Sequence, residues 1–134
     1  MINYVDFSVL VIEDQPFVRK TVVQIIKKIG FEKVNEADNG LSGMDVCQQI
    51  NPDIVICDID MKPVNGLEFL ITLRADKTIR NPRTPVVFLT NYSDSEMVRK
   101  AMSLGVNAFV VKPPSIAVLR ERVDRLLGPA PTGL

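Results

Sequence analysis

The chain contains no histidine. That removes Ser-His-Asp and Cys-His catalysis and every metal site that needs an imidazole. Cysteine is scarce: Cys47 and Cys57 stand alone, with no CxxC pair, so neither a zinc site nor a redox dithiol is expected. Both read as small buried hydrophobes, one in a helical pattern and one inside an apolar run. No apolar stretch approaches membrane-spanning length, and the opening Met1-Ile2-Asn3-Tyr4-Val5-Asp6 has no basic segment of the secretory type. A cytoplasmic chain without membrane association is therefore expected. Neither charge dominates, since 16 basic residues balance 16 acidic ones. Without a basic run, direct nucleic-acid binding is not expected either.

What the chain does have is a regular alternation. Its 134 residues suit one domain. Such a chain buries about two-thirds of its unfolded surface and needs no staples. Short apolar runs, which read as buried parallel strands, occur at Ser8–Ile12, Ile54–Asp58, Val86–Thr90 and Ala108–Val111, with a weaker strand near Val34–Ala37. Helical patterns lie between them. Pro16 opens the first, Val18, Val22, Ile25, Ile26 and Ile29 line one face, and Gly30 ends it. The second runs from about Leu41 to Ile50 and stops at Asn51-Pro52. The third starts near Asn65-Gly66 and is expected to carry Leu67, Leu70, Ile71 and Leu73 inward. Asp76–Pro85 reads as a surface loop. Ser93-Asp94-Ser95-Glu96 has capping-box spacing and starts the fourth helix, which Gly105 closes. The fifth follows Pro113-Pro114-Ser115 and ends at about Leu127. Residues 1–127 are expected to form the domain, and Gly128–Leu134 a linker or loose tail.

Five such β-α units predict an α/β fold: a doubly wound parallel (βα)5 sheet of flavodoxin-like strand order 2-1-3-4-5. Strands 1 and 3 are neighbours at the switch point, and ligands bind past the carboxyl ends of the strands. Four of the apolar runs end on chemistry-bearing residues: Glu13-Asp14, Asp58, Thr90 and Lys112. A flavin phosphate does not suit the turn after strand 1, which is acidic Glu-Asp-Gln-Pro where a phosphate loop must be rich in donors.

Three carboxylates in one pocket repel each other unless a cation lies between them. Mg²⁺ is small, hard and suited to one or two carboxylates plus waters and phosphate oxygens, with Mn²⁺ as a substitute. Asp14 and Asp58 are assigned as direct ligands, Glu13 as a ligand through water, and the backbone carbonyl of Asp60 as a third protein ligand. Asp58 is also the best nucleophile, able to form an aspartyl phosphate. Lys112 would bind phosphoryl oxygens as a point charge and Thr90 would donate a hydrogen bond to the transferred group. Asp53 lies at the wrong end of strand 3, and the Asp60 side chain lies beyond it, so Asp58 is preferred as nucleophile. Taken singly, these residues have ordinary readings as turn, cap and surface groups. Their placement at the ends of successive strands does not.

With these residues in place, the chain from Phe7 to Leu127 resembles the receiver domain of two-component response regulators (the CheY-like family). The resemblance rests on Glu13-Asp14, on Asp58-Ile59-Asp60-Met61-Lys62-Pro63-Val64-Asn65-Gly66, on Thr90, and on Lys112-Pro113. It implies a bacterial signalling phosphoacceptor rather than an enzyme, with intrinsic autophosphorylation and autodephosphorylation chemistry only. Asp58 would take a phosphoryl group, with Mg²⁺, from a sensor histidine kinase or a histidine phosphotransfer protein, and the domain would catalyse its own dephosphorylation. The missing histidine would then be the partner's. The resemblance also implies a cis Lys112-Pro113 peptide, a Thr90/Phe109 switch, and tuning of phosphate lifetime by Asp60 and Tyr92. It implies an output face on helix 4, strand 5 and helix 5, including Arg99, Met102, Val106 and Arg120. That face would signal to a downstream protein, a C-terminal effector domain or, on phosphorylation, a second copy. Lys62 departs from the pattern, which usually has proline directly after the methionine.

A rival reading takes Asp58-Ile59-Asp60 as the Asp-x-Asp motif of haloacid-dehalogenase-like phosphatases. Against it, that motif normally ends the first strand with its acidic pair downstream, whereas Glu13-Asp14 lies upstream here.

Overall fold

Five strands, β1 (Ser8–Ile12), β2 (Lys33–Ala37), β3 (Ile54–Asp58), β4 (Val86–Thr90) and β5 (Ala108–Val111), pair in parallel in the order β2-β1-β3-β4-β5. Between and after them come α1 (Pro16–Ile29), α2 (Gly40–Ile50), α3 (Gly66–Ala75), α4 (Ser95–Ser103) and α5 (Ile116–Leu127). The computed structural model describes residues 2–91 and 95–128. Ser93 and Asp94 of the expected capping box, Tyr92, and the tail beyond Gly128 lie outside the described residues.

The strands read as unbroken apolar runs because the sheet is covered on both sides. Leu10, Ile12, Val55, Cys57, Val86 and Phe88 face one core with α2, α3 and α4. Val9, Val11, Ile54, Ile56, Val87 and Leu89 face the other with α1 and α5. Each fully buried Leu, Ile or Phe contributes about 1.5–3 kcal/mol relative to exposure.

Helix boundaries follow local chemistry. Pro16 occupies the first turn of α1, and Gly30 caps its end at φ +133°. Asn39 and Ser42 close a reciprocal capping box on α2, and Asn65 and Glu68 do the same on α3. Asn51 ends α2 in the left-handed region at φ 47°.

The inward face of α3 differs from the sequence expectation. Ile71 is 52% exposed, and the buried residues are Gly66, Phe69, Leu70 and Leu73, at i, i+3, i+4 and i+7. The run Phe69-Leu70-Ile71 is apolar all round, so hydropathy alone does not select the face. Tertiary contact does, and it chooses Phe69. A 3₁₀ turn at Tyr4–Asp6, also unanticipated, seats Tyr4 against Phe31 with ring centroids 5.0 Å apart. The Tyr4 hydroxyl donates to Asp124 of α5 at 2.6 Å.

Asp53 is settled as structural. Its Oδ2 accepts from the Ser8 amide at 2.8 Å and ties the starts of β1 and β3 together.

Candidate functional site

The register that pairs Ile12 with Cys57 and Asp58 with Leu89 brings the exits of β1, β3 and β4 to one level. β5 joins them where the Lys112 amide donates to the Thr90 carbonyl at 2.8 Å. The four strand ends thus meet as their polar residues suggest.

One carboxylate oxygen from each of Glu13, Asp14 and Asp58 lies within 4.8 Å of the others. Glu13 and Asp58 are buried, and Asp14 is half-exposed. Lys112 reaches over them, with Nζ 2.8 Å from Asp58 Oδ1 and 3.4 Å from Glu13 Oε1. The 2.8 Å approach is an ion pair between two largely buried groups. That single ammonium faces three carboxylates, two of them buried. The hard carboxylate oxygens gathered here fit a divalent cation such as Mg²⁺.

The electrostatics agree. Burial first, then hydrogen bonding with Asp14 and the charge of Asp58, pushes the Glu13 carboxyl up to about 7. Burial also raises Asp58, with the Lys112 ammonium pulling it back. Burial works against the Lys112 ammonium, but Asp58 and Glu13 outweigh it and hold its pKa above the usual lysine value. Acids driven toward protonation next to an ammonium are short of positive charge.

Thr90 is buried, and its hydroxyl donates to the Asn91 carbonyl at 3.1 Å. Phe109 is half-buried and pairs in register with Phe88, their ring centroids 6.3 Å apart. Lys112-Pro113 is cis, as the resemblance implies, and so is Lys62-Pro63, which nothing in the sequence signalled. The loop after β3 is gripped at both ends: the Gly66 amide donates to Ile59 O and the Gly40 amide to Val64 O, each at 3.0 Å.

Sequence reasoning missed Arg19. Its Nη1 donates to the main-chain carbonyl of Glu13 at 2.7 Å and its Nε to Glu36 on β2 at 3.1 Å. The available signal was its position on the opening turns of α1, where side chains lean back toward the strand exit.

A family model described as the response regulator receiver domain matches residues 9–124. The chain is 29% identical over 121 residues to the chemotaxis protein CheY-3 of Vibrio cholerae, covering 90% of this chain and 92% of that protein. Among solved structures it is similar to a LuxR-family DNA-binding response regulator from Staphylococcus aureus. That match has 34% identity, a TM-score of 0.79, and covers 90% of this chain and 98% of the other. It is also similar to the signal receiver domain of a histidine kinase from Syntrophus aciditrophicus, at 27% identity and TM-score 0.79, covering 90% and 89% of the two chains.

Proposed function

Because the chain belongs to the response regulator receiver family, we propose that Asp58 is its phosphoacceptor, charged by a histidine kinase or a histidine phosphotransfer protein. The observation that carries this reading is the buried Asp58 carboxylate at the centre of an acidic cluster, ion-paired with Lys112. Receiver domains are signalling domains and are not generally classed as enzymes. The haloacid-dehalogenase-like alternative is not supported: Asp58 ends β3, third in the chain and central in the sheet, and the family match is to receivers.

In this reading a carboxylate oxygen of Asp58 attacks phosphorus, the phosphorus–nitrogen bond to the partner's imidazole breaks, and the imidazole leaves. Asp14 and Asp58 would hold Mg²⁺ directly, Glu13 would hold it through water, and the Asp60 carbonyl would complete the protein ligands, with Mn²⁺ as a substitute. When bound, the cation neutralises the acids and the incoming phosphoryl charge. Lys112 then binds phosphoryl oxygens, Thr90 donates to the new group, and Phe109 turns inward with it. The face of α4, β5 and α5, with Arg99, Met102, Val106 and Arg120, passes the change to a downstream protein, an effector domain or a second copy. Asp60 and Tyr92 tune how long the phosphate survives autodephosphorylation. The working unit is residues 1–127, with 128–134 a linker or tail. No helix of the described residues is long and apolar enough to cross a membrane, and a cytoplasmic setting suits the reaction.

The test is incubation with Mg²⁺ and a small phosphodonor such as phosphoramidate. Stoichiometric acid-stable, alkali-labile phosphate, lost in Asp58→Asn, is expected. Multiple turnover of assorted phosphate esters would overturn the reading in favour of a phosphatase.

A further inference from the structure

Three acids and Lys112 account for the centre of the site, but not for what aims the acids. Glu13 and Asp14 sit on the turn between β1 and α1, where no strand ladder holds both sides of the chain. On one side the Glu13 amide donates to the Ala37 carbonyl of β2 at 3.1 Å. On the other, Arg19 donates to the Glu13 carbonyl at 2.7 Å, a short charge-assisted bond. The Arg19 side chain is 20% exposed, and its guanidinium makes a second bond, to Glu36.

We infer that Arg19 is a positioning residue for the metal site. The peptide unit is planar, so fixing the Glu13 carbonyl oxygen also fixes the nitrogen of Asp14. Arg19 therefore sets the direction in which Asp14 leaves the chain, and with it the aim of the Asp14 carboxylate. This inference rests on the metal reading above and adds a residue that touches no reacting atom.

The direction of the effect separates this role from two simpler ones. Arg19 is a cation near a cation site, so a role in charge alone predicts tighter Mg²⁺ binding when it is removed. A role in folding alone predicts a lower melting temperature with unchanged affinity of the folded protein. Positioning predicts weaker binding. Partners that orient metal ligands from behind are typically worth about 10–100-fold in affinity.

The experiment is a Mg²⁺ titration followed through backbone amide resonances, with melting measured in EDTA, on the wild type, Arg19→Gln, Arg19→Lys and Glu36→Gln. Arg19→Gln is expected to raise the dissociation constant about 10-fold or more. Arg19→Lys keeps the charge and one donor but loses the fork, and falls between. Glu36→Gln stays within about two-fold, because a half-exposed pair contributes little. Wild-type or tighter binding by Arg19→Gln overturns the inference. Should that variant not fold, wild-type affinity in Arg19→Lys does the same. A loss in Glu36→Gln equal to that in Arg19→Gln also overturns it, since the ion pair rather than the carbonyl bond would then be operative. Failure of the wild type itself to take up Mg²⁺ is a separate result, which removes the functional reading and this inference together.

Discussion

Lys112 Nζ stands 2.8 Å from Asp58 Oδ1, an ion pair between two largely buried groups. The lysine is thus held against the proposed nucleophile. Its ammonium also stands 3.4 Å from Glu13, so one cation serves two buried acids.

Lys112→Ala should therefore separate two roles that the site combines. Removing a charge that meets the transferred phosphoryl oxygens is expected to slow phosphorylation of Asp58 by a small phosphodonor about 10²–10³-fold. Mg²⁺ affinity should hold or rise, because a competing cation has gone. A near wild-type rate for the variant would show that Lys112 is not the phosphoryl-binding group.

The cysteines carry a pH prediction. Burial, aided by the charge of Asp76, pushes the Cys47 thiol from 9.0 up to about 12, and burial raises Cys57 well above 9.0. In the folded protein neither should react with an aromatic disulfide reagent at mildly alkaline pH, and both should react once denaturant is added. The sign for stability follows from the raised folded values. Above 9.0 the unfolded chain loses thiol protons that the folded chain retains, so stability falls as pH climbs from 9.0 toward about 12. Cys47→Ala should lessen that alkaline slope in urea titrations, and an unchanged slope would assign it to other groups.

Gly66 is predicted to tolerate no side chain. A Cβ there would meet the Asp58 carbonyl and Phe88 Cε1, each at 2.8 Å, and Ile59 Cα at 3.0 Å. Two of those three atoms are backbone, so the loop itself must give. Gly66→Ala is expected to cost about 1–3 kcal/mol, read as a lower urea midpoint, and to slow phosphorylation by displacing Asp58. Wild-type stability would mean that the junction of β3 and α3 is looser than its contacts indicate.

Much of this is legible in the sequence. Strand order, the parallel sheet and the convergence of Glu13, Asp14, Asp58 and Lys112, with Thr90 at the neighbouring strand exit, all follow from apolar runs that end on polar residues, because a buried strand can place such groups only at its exit. Arg19 stayed hidden because it acts through a main-chain carbonyl, and no residue pattern marks a carbonyl as needing a partner. Ile71 faces solvent against expectation because an all-apolar stretch carries no phase. Arg74 was silent for the same reason as Arg19: its guanidinium donates to the carbonyls of Pro82 and Thr84 and to Asn107 Oδ1, pinning a loop whose sequence only looked polar.

The Tyr4–Asp124 hydrogen bond joins residues 120 positions apart. Near it, a Cβ built on Gly128 would lie 3.8 Å from Ile2 Cδ1. Both ends of the described fold therefore sit side by side, on the α1 and α5 side of the sheet. A domain closed in this way can be opened elsewhere and rejoined there by a short bridge, or set as an insert within a loop of another protein, without disturbing the strand exits that build the site.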